Sequence, residues 1–144
     1  MATNANFSDK HKHLDFIQAA VNRMAGNLFL LKGWATTLIA ALFALAAKDA
    51  NLGFILFALV PILIFWLLDG YFLSQERKFR ELYDHVRLLP EDRIDFSMDT
   101  RPYAAKHTWG GALFSKTLLV YYIGLIVVLF VVLLAIRFRV GLFA

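Results

Sequence analysis

Two charged residues interrupt long apolar stretches of the sequence, and they are the residues best suited to chemistry inside a membrane. Lys32 lies in the stretch 28–47, and Asp69 lies near the end of the stretch 50–71. Counted from the turn around Lys48 to Asn51, Lys32 is about 16 residues along one helix and Asp69 about 18 along the next, so both lie about 24–27 Å from the turn. Opposite charges at one depth on adjacent helices are expected to pair, because an unpaired charge near lipid is costly.

The same two charges allow a simpler interpretation. The alkyl chain of Lys32 would stay in the hydrocarbon while its ammonium group reaches the cytoplasmic headgroups. Asp69 would only mark the end of its helix. If the pair does form, a role in ion passage or gating is a further hypothesis, because ionisable residues inside membranes commonly belong to functional sites.

A second group of charged residues is basic and follows the second apolar stretch. Its members are Arg77, Lys78, Arg80 and Arg87. In one interpretation they set the topology and contact anionic lipid. In the other, this basic helix binds a cytoplasmic partner protein or a negatively charged signal such as a nucleotide.

Motifs for enzymatic catalysis are missing from the sequence. It contains no phosphate-binding loop, no Gly-x-Ser-x-Gly and no His-Glu-x-x-His, and it has no cysteine. His11, His13 and His85 could approach one another if the helices that carry them pack together, which would permit a zinc site. Exposed histidines on helices are usually only solvated, so we expect no metal, no cofactor and no enzymatic activity.

The elements that must position these residues are three membrane-spanning helices. Sixty per cent of the 144 residues are hydrophobic and 18% are charged, a balance typical of membrane proteins. The stretches 28–47, 50–71 and 112–136 are each close to the ~20 residues that cross a bilayer as a helix. We therefore predict an all-α integral membrane protein with a single membrane domain, in which Pro61 kinks the second span.

The distribution of basic residues predicts how the chain is oriented. Twelve of the 15 Lys and Arg residues lie before the first span, at its start, or between the second and third spans. The positive-inside rule places that side in the cytoplasm. The expected location is a bacterial inner membrane with a cytoplasmic N-terminus and a periplasmic C-terminus. Direct DNA binding is not expected, because the basic residues flank apolar spans.

Two amphipathic helices are predicted on the cytoplasmic side. Residues 8–27 and 72–89 each carry an apolar stripe with helical spacing. We expect the two helices to pack as a cytoplasmic hairpin that extends the first two spans, the alternative being that 8–27 lies flat on the inner leaflet. Gly26-Asn27 and Gly70 are the expected bends, and residues 90–111 are expected to form a cytoplasmic loop.

A column of small residues in the first span predicts close helix packing. Gly33, Thr37 and Ala41 follow one another at intervals of four, a spacing that lets membrane helices approach closely. The column could seat the other helices of the same chain. Because three short helices bury little surface among themselves, we expect it to support a homo-oligomer.

Two parts of the sequence carry a family resemblance. They are His13-Leu14-Asp15-Phe16-Ile17-Gln18 with Asn22-Arg23-Met24, Asn27 and Phe29-Leu30-Leu31-Lys32-Gly33-Trp34, and the run Phe65-Trp66-Leu67-Leu68-Asp69-Gly70-Tyr71-Phe72-Leu73-Ser74-Gln75-Glu76-Arg77. These runs resemble a group of small, uncharacterised bacterial inner-membrane proteins, over residues 11–125. More loosely, a two-span hairpin continued by a cytoplasmic helix is similar to the SLATT-type membrane effectors of bacterial conflict systems, from which the third span departs.

The resemblance implies a function in antiviral defence. SLATT-type effectors are thought to assemble into membrane-disrupting pores when a partner senses infection. By that similarity we expect an oligomeric membrane-perturbing effector that a cytoplasmic signal or partner triggers. The rival expectation is a non-conducting scaffold that anchors a cytoplasmic partner, and a membrane enzyme acting on lipid is a third, weaker alternative.

Overall fold

All regular elements in the described part of the chain are helical. The computed structural model describes the backbone of residues 2–49 and 52–142, and the side chains of residues 9–48 and 53–138. The elements in chain order are α1 Ala2–Asp49, α2 Leu52–Phe57, α3 Leu59–Leu88, two 3-10 turns at Glu91–Arg93 and Arg101–Tyr103, α4 Trp109–Leu113 and α5 Lys116–Leu142.

Helix α1 is a single continuous helix of 48 residues, about 72 Å long at 1.5 Å per residue. The structure shows no break at Gly26-Asn27, where the sequence suggested a bend. The physical reason is that one buried stripe runs on both sides of this point, from Ile17 and Val21 to Ala35 and Ile39. Packing along that stripe outweighs the ~1 kcal/mol that a glycine costs inside a helix.

The second apolar stretch is interrupted near Pro61. Helix α2 ends at Phe57 and α3 begins at Leu59, so the interruption is at Ala58, three residues before the proline. Proline lacks an N–H and its ring clashes with the carbonyl four residues earlier, which is that of Phe57. Ala58 keeps near-helical angles, φ −64° and ψ −19°, so the break is local.

Three helical stretches are long and apolar enough to cross a membrane. They are Asp9–Lys48 in α1, Gly53–Leu88, which runs through α2 and α3, and Lys116–Phe138 in α5. In the first two, charged residues concentrate at the ends away from the α1–α2 connection. The chain is thus all-helical with three candidate spans.

The larger hydrophobic core joins all three of these helices. It contains the buried residues Ala35, Ile39, Leu42 and Ala46 of α1, Ile55 of α2, Ala58 and Ile62 beside and in α3, and Leu118, Tyr122, Leu129 and Ile136 of α5. Because many of the residues around it face outward, each helix contributes only one stripe to the core.

A smaller core joins the far ends of α1 and α3. Ile17 packs there with Leu82 and Val86. Beyond it, Nζ of Lys10 donates to the backbone carbonyls of Arg87 and Leu89, at 3.2 and 2.7 Å. Contacts between early residues of α1 and late residues of α3 show that the two helices run antiparallel.

The segment after α3, which was expected to form a loop, contains two 3-10 turns and one short helix. Leu89 ends α3 in an extended conformation, φ −70° and ψ 141°, because the residue before Pro90 disfavours helix. The two 3-10 turns follow, and then the short α4, which the Thr108 hydroxyl caps by accepting a hydrogen bond from the backbone N–H of Gly111. Helix α4 packs on α3 and leads directly into α5.

Candidate functional site

The candidate site is an ion pair between α1 and α3, between the two hydrophobic cores. Nζ of Lys32 lies 2.6 Å from Oδ2 of Asp69. The structure therefore brings together the two residues whose depths were expected to match. Asp69 is fully buried, whereas 26% of the Lys32 side chain is exposed, so the pair is open to its surroundings only from the lysine side.

Helix α5 completes the site with a tyrosine. The hydroxyl of Tyr122, itself buried, donates to Oδ2 of Asp69 at 2.9 Å. The ring of Tyr122 packs edge-to-face on Tyr121, with centroids 4.9 Å apart. The sequence analysis missed this residue. The clue was a pair of phenol groups in an otherwise apolar helix, where a buried hydroxyl needs a partner.

The backbone carbonyl of Lys32 also binds α5. It accepts hydrogen bonds from the hydroxyl of Tyr121 at 3.0 Å and from the hydroxyl of Thr36 at 2.8 Å. The two hydroxyl oxygens lie 2.8 Å apart. The two hydroxyl protons are thus shared among three short oxygen–oxygen contacts. These contacts hold the turn of α1 that contains Lys32 against α5.

The electrostatic environment of the pair is uneven. Nζ of Lys32 lies 5.6 Å from the centroid of the Tyr121 ring, a distance at which the ring face attracts a cation. Oδ2 of Asp69 has two donors, but Oδ1 is buried and has no hydrogen-bond partner among the described residues. A buried acceptor without a partner is unfavourable by about 1–3 kcal/mol, so the carboxylate is only half satisfied.

These contacts define what the cluster can do. It joins all three long helices through one carboxylate, and Oδ1 can still accept a hydrogen bond from a further donor. Such a group can change its hydrogen-bond partners without any covalent step. No family model, curated protein or solved structure matches this chain.

A pair of tryptophans fixes α4 next to the site. The indole N–H of Trp66 donates to the carbonyl of Leu113, and that of Trp109 donates to the carbonyl of Leu67, both at 3.0 Å. Gly70 lies between them, where an added Cβ would approach Cγ of Leu113 to 2.7 Å. The residue expected to be a hinge is instead the point at which α4 packs closely on a continuous α3.

Part of the positive charge of the basic helix is neutralised by carboxylates on the same helix. Nε of Arg80 lies 2.6 Å from Glu76, and Nε of Arg87 lies 3.2 Å from Asp84. Arg77 and Lys78 lie on the same helix and are half-buried. Two of the four residues proposed for binding a negative signal thus have carboxylate partners on α3 itself.

The column of small residues faces outward. Gly33, Thr37 and Ala41 are exposed, and an added Cβ on Gly33 would meet nothing within 4 Å. The hydroxyl of Thr37 donates to the carbonyl of Gly33 at 2.9 Å. The column does not seat α3 or α5 in the single chain, so it remains available to a second molecule.

The histidines are spread over different environments. His13 is buried and its ring packs edge-on against Phe96, with centroids 5.6 Å apart. His107 lies 3.2 Å from Glu81. Among the side chains that the structure describes, those of residues 9–48 and 53–138, no three His, Asp or Glu groups are close enough to hold a metal ion.

Proposed function

We propose that the chain is a three-span protein of a bacterial inner membrane, with its N-terminus and residues 72–111 in the cytoplasm. The outward faces of the candidate spans support insertion, because large apolar side chains such as Val120, Phe130 and Leu134 are 49–75% exposed. The concentration of Lys and Arg before the first span and between the second and third supports the orientation.

In this topology, the first two spans continue into the cytoplasm as a helical hairpin. The smaller core around Ile17, Leu82 and Val86 supports packing of the two extensions on each other. The bonds from Lys10 to the end of α3 support it further. The smaller core uses the apolar stripe of α1, which would otherwise face the inner leaflet.

The function proposed for this architecture is a homo-oligomeric effector that perturbs the membrane when a cytoplasmic signal or partner acts on it. The observation that carries the proposal is the half-satisfied carboxylate of Asp69, which links α1, α3 and α5 in one cluster. This cluster holds the three helices together in a closed conformation, and a modest force can separate them. The resemblance to membrane effectors of conflict systems supports a defence role.

The proposed mechanism starts from that closed state. Movement of the hairpin pulls α3 relative to α5 and separates Asp69 from Tyr122. The carboxylate and Lys32 then need other partners, because charges exposed to hydrocarbon are strongly disfavoured. Water, or a neighbouring copy that packs through Gly33, Thr37 and Ala41, supplies them. Entry of water at this depth is the perturbation.

A non-conducting scaffold for a cytoplasmic partner is the second candidate. It is favoured by the outward face of α5, whose exposed side chains include Ile123, Val127 and Val131 and are apolar. The side chain of Asp69 is fully buried in the single chain, so its charge is not presented to a path across the hydrocarbon. A scaffold needs only the three spans and the cytoplasmic surface.

Membrane potential in living cells separates the two candidates. We would express the chain, the variant Lys32→Met and the double variant Lys32→Met/Asp69→Asn in bacteria loaded with a potential-sensitive dye. For an effector, Lys32→Met leaves the buried carboxylate unpaired and depolarises the cells, whereas the neutral double variant does so much less. If all three chains reach the membrane at equal levels and none changes the potential, the scaffold candidate stands.

A further inference from the structure

A groove lined by large apolar side chains lies on the outer face of α3 beside α4. Its walls are Ile64, Leu67, Leu68, Tyr71 and Trp109, and its volume is about 360 Å³. Each of these five side chains is 40–51% exposed, so they form an open channel rather than a closed cavity. The groove is separate from the Lys32–Asp69 cluster.

The groove is held in shape before anything binds. The indole N–H of Trp109, which forms one wall, donates to the carbonyl of Leu67 in the opposite wall at 3.0 Å. The reciprocal bond from Trp66 to Leu113 fixes α4 from the other side. Gly70 allows this close approach. Preformed apolar clefts are the usual form of ligand sites.

Positive charge follows the groove along the same face of α3. Ile64, Tyr71 and Lys78 are spaced by seven residues, which returns to nearly the same side of a helix. Lys78 therefore lies about 10 Å beyond Tyr71, with Gln75 between them. The apolar channel thus leads towards an ammonium group.

A second lysine, Lys106, is held on α3 by Glu81, one turn beyond Lys78. Nζ of Lys106 lies 2.6 Å from Oε1 of Glu81, which is three residues after Lys78 on α3, and 64% of the Lys106 side chain is exposed. The hydroxyl of Ser74 donates to the carbonyl of His107 at 2.8 Å, which holds this segment against α3. With Glu81 counted, the two lysines leave one net positive charge beyond the groove.

We propose that the groove binds an anionic phospholipid, with an acyl chain along Ile64 to Tyr71 and the phosphate near Lys78 and Lys106. We infer the kind of ligand from the sequence of surfaces along α3. An apolar channel that leads to cations at one helix end complements an acyl chain joined to an anion. The inference rests on the membrane insertion proposed above, but not on the effector role.

The test compares two lipids that share their acyl chains, one with an anionic headgroup and one with a zwitterionic headgroup. The full chain is purified in a mild detergent, delipidated and mixed with phosphatidylglycerol or phosphatidylcholine of identical acyl chains. Retained lipid is counted by native mass spectrometry. We expect phosphatidylglycerol to be retained several-fold better, and Lys78→Gln to weaken its binding about fivefold. Lys12→Gln, which removes the same charge far from the groove, should have no effect.

A second pair of variants tests the groove itself. Ile64→Trp fills the channel and should lower retention of both lipids, whereas Leu63→Trp adds the same ring at a position that is equally exposed but outside the groove. Circular dichroism of each variant shows that the helices are intact.

Several outcomes would overturn the lipid site. They are equal retention of the two lipids, equal effects of Lys78→Gln and Lys12→Gln, and equal effects of Ile64→Trp and Leu63→Trp. A lower oligomer mass for Ile64→Trp with unchanged lipid would assign the groove to a second copy of the chain instead. Carbonate extraction of cell membranes tests insertion separately, so loss of the lipid preference with the chain still inserted refutes only this inference.

Discussion

The hydroxyl of Tyr122 donates to Oδ2 of Asp69, the same oxygen that pairs with the ammonium group of Lys32. One carboxylate oxygen thus connects α1, α3 and α5. The connection depends on both donors, because Oδ1 has no partner among the described residues. Changes at this oxygen should therefore affect the packing of all three helices at once.

Removing the lysine alone should be worse than removing both charges. Lys32→Met leaves a buried carboxylate without its counter-ion, which should lower the free energy of unfolding by about 3 kcal/mol. The double variant Lys32→Met/Asp69→Asn has no charge to satisfy and should recover most of that loss. Denaturant unfolding in detergent micelles measures both values. Additive effects of the two single substitutions would show that the residues are not coupled.

The two neighbouring tyrosines should differ in importance. Tyr122→Phe removes a hydrogen bond to a charged group and should cost about 1.5–3 kcal/mol. Tyr121→Phe removes a bond to the carbonyl of Lys32, which keeps its bond from Thr36, so the loss should be below about 1 kcal/mol. Thermal unfolding of the two variants in the same detergent provides the comparison, and the reverse order would mean that Tyr122 does not hold Asp69.

Gly70 should tolerate no side chain. In Gly70→Ala the new methyl group collides with Leu113 and reaches within 3.2 Å of Nε1 of Trp109, so we expect a loss of about 1–3 kcal/mol from overpacking. Gly124→Ala on α5 is the matched control, because a Cβ there meets nothing within 4 Å. Unfolding followed by tryptophan fluorescence reports the difference. Equal stability of the two variants would contradict close packing of α4 on α3.

The outward column on α1 should control self-association without affecting the fold. Gly33→Leu adds a side chain where the single chain has open space, so the helices should form normally while the oligomer weakens. Mass measurement in a mild detergent, with the bound detergent subtracted, shows the number of copies. We expect four or more copies for the natural sequence and fewer for the variant, with Gly124→Leu unchanged. A natural chain that is only monomeric or dimeric would favour the scaffold.

Acid should open the turn around Asp99 and Arg101, which leads into the second 3-10 turn, Arg101–Tyr103. Nε of Arg101 donates to both carboxylate oxygens of Asp99, and its backbone N–H donates to Oδ1. The side-chain bond from Arg101, followed by the backbone bond, holds the pKa of Asp99 below its ordinary value of 3.8. A lowered pKa stabilises the folded turn fully above pH 3.8, and this contribution disappears as the pH falls through the folded pKa.

A carboxyl-carbon NMR titration measures this shift directly. Asp99 should titrate below 3.8 in the natural chain, and its pKa should rise towards that value in Arg101→Gln, which removes the side-chain bond and keeps the backbone bond. An unchanged titration in the variant would show that Arg101 does not stabilise the carboxylate in solution.

The sequence predicted that Lys32 and Asp69 share a depth, because both positions follow from counting residues away from one turn, and pairing was one of two alternatives for them. It did not predict the contact with Tyr122. Helix α5 is apolar on all sides, so its sequence does not indicate which face it buries. The rotation and register of α5 are set by packing, and only the structure shows that Tyr122 rather than Tyr121 reaches the carboxylate.

Gly70 illustrates a different limit of the sequence. A glycine between an apolar stretch and a charged stretch is equally compatible with a hinge and with a close helix contact. The contact with Leu113 depends on α4, a helix of five residues with two glycines, which no periodic pattern predicts. The helix break near Pro61, in contrast, could be predicted, because the clash of the proline ring with the carbonyl of Phe57 is local and follows from covalent geometry.

The bond between Tyr122 and Asp69 spans 53 residues of sequence, which has a consequence for synthesis of the chain. At 5–20 residues per second, Asp69 emerges from the ribosome roughly 3–10 s before Tyr122. During that interval the nascent chain holds its acidic group with Lys32 alone. A chain that stops before its last helix keeps this incomplete arrangement permanently, so a truncated product carries a carboxylate with one donor fewer than the finished chain.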